Sequence, residues 1–149
     1  MLFKKLLSKA DTGLIATKIA NVERVTSGEV RVSILHRRAW NERNLSLIDL
    51  ALKEFKRLGM EKTRDRTGVL VMLIMSERKF QIIADEGINS KVAPGTWERL
   101  ASEMSGHFRL GNYVYGICDT IDSVGRELQE HFPRHHDDRD ELPNEISER

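Results

Sequence analysis

The chain has 149 residues, 40% of them hydrophobic, which fits one compact domain with a single buried core. Its 24 Lys+Arg against 23 Asp+Glu leave a formal charge of +1, which excludes a wholly basic nucleic-acid coat and a polyacidic tail protein. The one cysteine, Cys118, can form neither an internal disulfide nor a cysteine-based zinc site, so the cytoplasm is the expected compartment. Lys4, Lys5 and Lys9 interrupt the run of about 7–15 apolar residues that a signal peptide needs, and no stretch approaches the roughly 18 consecutive apolar residues of a membrane span.

Asp11 reads as an N-cap, and Leu14, Ile15, Ile19, Val22 and Val25 recur at helical spacing until Thr26-Ser27-Gly28. Glu29 to His36 then alternates, with Val30, Val32 and Ile34 on one face of a strand. A second helix follows from Leu45, striped by Leu47, Ile48, Ala51, Leu52, Phe55 and Leu58, with Gly59 at its C-cap. Val69 to Met75 is apolar without interruption, the pattern of a central strand buried on both faces. Ser76-Glu77-Arg78 is too short for a crossover, so Lys79 to Ala84 returns antiparallel. Pro94 opens a helix carrying Trp97, Leu100, Ala101, Met104 and Phe108, and after Gly111 a last helix carries Val114, Ile117, Ile121, Val124 and Leu128.

This order predicts an α/β fold: a three-layer α/β/α sandwich whose mixed sheet, a parallel pair plus an antiparallel hairpin strand, is flanked by about four helices. Residues 1–133 make the domain and residues 134–149 a polar tail, in which Leu142, Pro143 and Ile146 are the residues expected to dock.

Common catalytic signatures are missing. The sixth residue after Cys118 is Val124, where a cysteine phosphatase needs arginine, and there is neither a Gly-Lys-Ser/Thr phosphate loop nor a Gly-x-Ser-x-Gly elbow. Asp138 and Asp140 lie in the polar tail, and the adjacent His135-His136 tract has the composition of a weak transition-metal binder.

The topology supplies two candidate regions. The start of the first two strands and the end of the third share one edge, which gathers Gly28-Glu29, Arg64-Asp65-Arg66 and Asp85-Glu86-Gly87. Carboxylates there could share a hard cation held by oxygen ligands, or they are solvated strand ends with an exposed Arg-Asp pair worth under about 1 kcal/mol. The opposite edge carries His36 to Arg43, whose arginines and Trp40 could hold a phosphate or stack on a base, or form a polar loop with Trp40 folded back on the core.

Several segments together resemble the TPM domain family of bacteria and the plant thylakoid lumen: Thr26-Ser27-Gly28-Glu29-Val30-Arg31-Val32; Gly59-Met60 with Thr63 and Arg66-Thr67-Gly68-Val69-Leu70; and Ile83-Ala84-Asp85-Glu86-Gly87-Ile88. The likeness continues through Trp97, Phe108, Gly111, Gly116, Leu128 with His131-Phe132-Pro133, and Glu141-Leu142-Pro143-Asn144-Glu145-Ile146. It implies a helix-flanked α/β sandwich. Some members are described as binding calcium or magnesium, a plant member has been proposed as an acid phosphatase, and others are membrane-associated accessory proteins.

Carried onto this chain, the resemblance points to Glu29, Asp85 and Glu86 for metal binding, with Asp65 joining them on the shared edge. The expected role is a calcium- or magnesium-binding accessory or interaction module, with a protein partner that in some relatives sits at a membrane, and with no nucleic acid. The alternative is metal-assisted phosphomonoester hydrolysis in which Arg66 steadies the anion. On either reading the clustered carboxylates are expected to repel one another without a cation, so that removing Asp85 leaves stability unchanged or higher.

Overall fold

In a computed structural model, residues 7–134 and 146–149 of the chain are described. Helix α1 (Lys9–Glu23) is capped by Ser8, whose hydroxyl accepts from the Asp11 amide while the Asp11 carboxylate accepts from the Ser8 amide. Asp11, expected as the cap itself, is therefore the reciprocal member of a capping box, three residues inside the actual cap Ser8. Strand β1 (Glu29–Leu35) is followed by a 3₁₀ turn (Trp40–Glu42) and by helix α2 (Leu47–Arg57), capped by Ser46. Gly59 ends that region at φ 69°, where glycine carries no steric penalty.

After a second 3₁₀ turn (Met60–Lys62) come β2 (Gly68–Ile74) and β3 (Lys79–Ala84), joined by the expected tight hairpin. The four-residue helix α3 (Glu86–Asn89) precedes α4 (Thr96–Arg109) and α5 (Tyr113–His131). The cap of α4 is Gly95 at φ 84°, so Pro94 lies just outside the helix it was expected to open. A short strand, β4 (Ser147–Glu148), closes the described chain.

The sheet has the order β3-β2-β1-β4. β1 and β2 run parallel from Glu29↔Gly68 to Leu35↔Ile74, and β3 runs antiparallel to β2 with Val69 opposite Ala84. Alternation divides the strands between two cores. Val30, Val32, Ile34, Val69, Val71 and Leu73 pack with residues of α1, α4 and α5, while Leu35, Leu70, Met72 and Ile74 pack with Leu50, Ala51 and Phe55 of α2. Among the described residues five helices thus flank a four-stranded mixed sheet, three of the longer ones on one face and α2 alone on the other. Each aliphatic side chain buried in this way contributes roughly 1.5–3 kcal/mol.

Two details depart from the apolar stripes expected of the sequence. Leu14, Val25, Ile48 and Leu52 are exposed. In α2 the core-facing row runs through Leu50, Ala51, Glu54 and Phe55, so a carboxylate occupies a position that the period assigns to the interior. The fourth strand was not anticipated. It pairs parallel to β1, with Ser147 opposite Ser33, and the neighbouring Ile146 packs against the three-helix core. Leu142 and Pro143 lie outside the described residues.

Gly87 is fixed by a close approach of backbone. A Cβ there would lie 1.9 Å from the Asp65 carbonyl oxygen and 2.5 Å from that of Arg66. Neither atom belongs to a side chain that can turn away, so Gly87→Ala is expected to lower stability by at least about 1–3 kcal/mol in urea unfolding. Gly13→Ala, in α1 with nothing within 4 Å of the new methyl, is expected to leave stability unchanged or raise it by up to about 1 kcal/mol.

Candidate functional site

The parallel register sets Glu29 beside Gly68, and the Gly68 carbonyl accepts from the Asp85 amide at 2.9 Å. The three strand ends therefore meet in one row. Before β2 the chain turns tightly: the Arg66 amide donates to the Thr63 carbonyl and the Thr67 amide to the Thr63 hydroxyl, and Arg66 adopts φ 57°, uncommon for a residue with a side chain. That turn aims Arg66 across to the end of β3. Its Nε donates to Asp85 Oδ2 at 2.8 Å, and its Nη1 lies 3.7 Å from Glu86 Oε1. The other Asp85 oxygen accepts from the Glu86 amide at 2.8 Å. The hydrogen bond and the charge of Asp85 together raise the Arg66 pKa above its ordinary value.

The four residues expected at this edge fare differently. Asp65 and Glu86 line an open cleft of about 460 Å³ together with Arg64, Arg66, Gly87 and Ser90. Asp85 is buried directly behind Arg66, and Glu29 is buried two strands away, outside the lining of the cleft. Asp85 and Glu86 meet at a guanidinium and not at each other. Repulsion among bare carboxylates is thus already relieved, which reverses the expected sign for removal of Asp85: its loss strips a cap and an ion-pair partner.

Among the described residues, three ligand groups come within 4.8 Å of one another only at Glu127, Glu130 and His131, on the last turns of α5. These are helix neighbours by their i, i+3, i+4 spacing.

At the opposite edge the loop after β1 does not fold Trp40 onto the core. The residue is 78% exposed, and its ring lies under the Arg43 guanidinium, 4.8 Å from centroid to carbon. Arg38 is taken up by structure, donating to Glu77 at 2.6 Å and to the carbonyls of Glu42 and Leu45. Cys118 is half-buried in α5, and burial pushes its thiol above the ordinary value, away from nucleophilic use.

The strongest charge arrangement centres on two glutamates that the sequence did not single out, although one of them, Glu42, belongs to the 36–43 loop. Glu42 and Glu54 are buried, at 1% and 0% exposure, between α2 and β1. Glu54 accepts from the Ser33 hydroxyl at 2.6 Å, from Arg57 at 2.9 and 3.0 Å, and from Arg149 Nε at 3.0 Å. Glu42 accepts from the Ala39 amide, from Lys53 Nζ, and from Arg149 through Nη1 at 3.2 Å and Nη2 at 2.8 Å. The signal was present in the pattern: Glu54 falls on the apolar stripe of α2, and Ser33 sits between buried positions of β1.

The hydrogen bond from Arg149, opposed by burial and reinforced by Lys53 and the Ala39 amide, holds the Glu42 carboxyl at about 2 against an ordinary 4.5. For Glu54 burial is the largest single influence and pushes upward, but Arg57, Ser33 and Arg149 together outweigh it and bring that carboxyl to about 2 as well.

The family model for the TPM domain matches residues 2–127. The solution structure of the BA42 protein of the psychrophilic bacterium Bizionia argentinensis is similar with a TM-score of 0.87 and 31% identity, covering 99% of both chains. The N-terminal domain of a P. gingivalis protein is similar at 0.70 and 25% identity, covering 89% of this chain and 84% of that one. The N-terminal domain of a Corynebacterium glutamicum protein shares the fold at 0.62 and 12% identity. No curated protein matches.

Both lowered carboxyls stabilise the fold fully above their unfolded value near 4.5, and the stabilisation is lost as pH falls from there toward 2. Arg149→Gln removes one shared partner and raises both values, so acid unfolding followed by circular dichroism is expected to begin at a higher pH in the variant. At pH 7 the variant should lose on the order of 1–3 kcal/mol, because buried charge loses a donor.

Proposed function

The chain belongs to the TPM domain family, and from that premise we propose that it is a cytoplasmic divalent-cation-binding module, taking calcium or magnesium, that serves a protein partner at or near a membrane and does not engage nucleic acid. The observation that carries the reading is the pairing of Asp85 and Glu86 with one half-exposed guanidinium, that of Arg66, beside a cleft whose lining also holds Asp65, itself paired with Arg64 at 3.5 Å. Arg66 is 46% exposed on its side chain and can swing into water, which frees the carboxylates for a metal. Oxygen donors without thiolate or imidazole favour calcium and magnesium over zinc. Glu29, buried in the same row, would act on the site through its charge. Among the described residues no helix is long and apolar enough to cross a membrane.

Metal-assisted phosphomonoester hydrolysis in the same cleft is the weaker reading. A phosphate would have to draw Arg66 away from Asp85 and Glu86, with their two negative charges left facing the anion. Ser90, the hydroxyl of the cleft, donates to the Gly87 carbonyl at 3.3 Å.

Calorimetric titration with calcium and with magnesium tests the site. Asp85→Asn should weaken binding about tenfold or more, Glu29→Gln by less, and Arg66→Gln should strengthen it by removing the competing cation. Equal binding by all four proteins, or shifts in NMR spectra that map to the loop at 36–43, would show that the site is misplaced.

A further inference from the structure

Residues 146–149 lie along β1 as an extended peptide would, and each meets a group from the body of the domain. Ile146 packs on the three-helix core. The Ser147 hydroxyl accepts from Arg57 Nη2 at 3.0 Å, and the Glu148 carboxylate lies 3.1 Å from His36 Nε2. The Arg149 amide donates to the Ile34 carbonyl at 2.9 Å, and its carbonyl accepts from the His36 amide at 2.7 Å. Its guanidinium then enters the space between Glu42 and Glu54.

The receiving groups are oriented by contacts that do not involve this segment. Glu42 is held by the Ala39 amide and Lys53, and Glu54 by Ser33 and Arg57. A two-residue strand contributes little pairing of its own, so its place on the edge depends on the side-chain seats at either end. The seat also discriminates. Three nitrogens of one planar fork reach two carboxylates supplied by different elements, which a lysine ammonium cannot reproduce.

We propose that the outer edge of β1 with the Glu42–Glu54 pair is a docking site for an extended segment of a partner protein, one that pairs parallel to β1 and carries arginine three positions after an aliphatic residue. Residues 146–149 are its occupant in cis. Two separate features of the seat define that chemistry: the main-chain groups of Ile34 and His36 call for an extended strand, and the paired buried carboxylates call for a guanidinium. The site lies at the far end of the strands from the Arg66–Asp85 cleft, and its test does not depend on cation binding.

A fluorescein-labelled peptide of residues 142–149 is titrated into the full chain and into its Arg149→Lys and Arg149→Gln variants, with binding read by anisotropy and folding by the dispersion of amide NMR spectra. A tethered segment competes at an effective concentration of the order of millimolar, so the unaltered chain should bind the peptide most weakly. The Arg149→Gln chain should bind it at least tenfold more tightly, with Arg149→Lys between. Replacing arginine by glutamine in the peptide, or Glu54 by glutamine in the Arg149→Gln chain, should each weaken binding at least tenfold.

If Arg149→Gln is not folded, the Arg149→Lys chain carries the comparison. Equal binding by all folded hosts, indifference to the peptide's arginine, or no binding to a folded variant would overturn the proposal. So would a dimer in light scattering that Arg149→Gln abolishes, since the seat would then serve exchange between copies of the chain.

Discussion

The seven residues of β2 present no face to water, and every other layer is arranged around that fact. A strand with two apolar faces needs a cover on each side, so the crossover from β1 through α2 takes one face and α1, α4 and α5 take the other. Once β2 is central, β1 and β3 become its neighbours, and the loops that enter and leave these strands are forced to the two ends of the sheet. Charged residues collect there because the sheet's interior has no room for them.

The two covers are unequal. Three long helices spread over one face, but the other rests on the 11-residue α2 and two short 3₁₀ turns. That thin layer leaves the outer half of β1 unfinished. Ser33 and Glu54 meet there, and two cationic side chains of α2, Lys53 and Arg57, turn inward over the gap. A carboxylate in such a place is tolerable only with several donors, since an uncompensated buried charge costs several kcal/mol. The segment at 146–149 supplies the remaining donors and closes the edge of the sheet with the same residues.

The pattern of the sequence carried most of this architecture. The unbroken apolar run at 69–75 marked the central strand, the alternation at 30–34 marked its parallel neighbour, and Ser76-Glu77-Arg78 forced the hairpin. What it did not carry has physical reasons. Ser147–Glu148 is too short and too polar to show a strand period, and its place is set by contacts with residues 90 or more positions away. Glu54 reads locally as a break in an apolar stripe, because of the partners that offset its burial only Arg57, three residues on, is local, while Ser33 and Arg149 come from other parts of the chain. At the other end strand direction alone put Glu29, Asp65, Asp85 and Glu86 at one edge, but not which of them would line the cleft there. The role of Arg66 needed its left-handed turn, which no spacing rule announces.

Both ends of the sheet set an arginine between two carboxylates, and burial decides how differently the two sets behave. Around Arg66 the guanidinium is about half exposed and Glu86 lies largely in water, so that part of the attraction is screened, while the Asp85 carboxylate behind it is buried. Around Arg149 both carboxylates are sealed from solvent, the attraction is stronger, and whatever replaces the guanidinium must reproduce its directed donors as well as its charge. The first arrangement leaves its guanidinium open to solvent on one side. The second suits a side chain delivered on a strand, because only a main chain already anchored to β1 can bring a planar fork to both carboxylates at once.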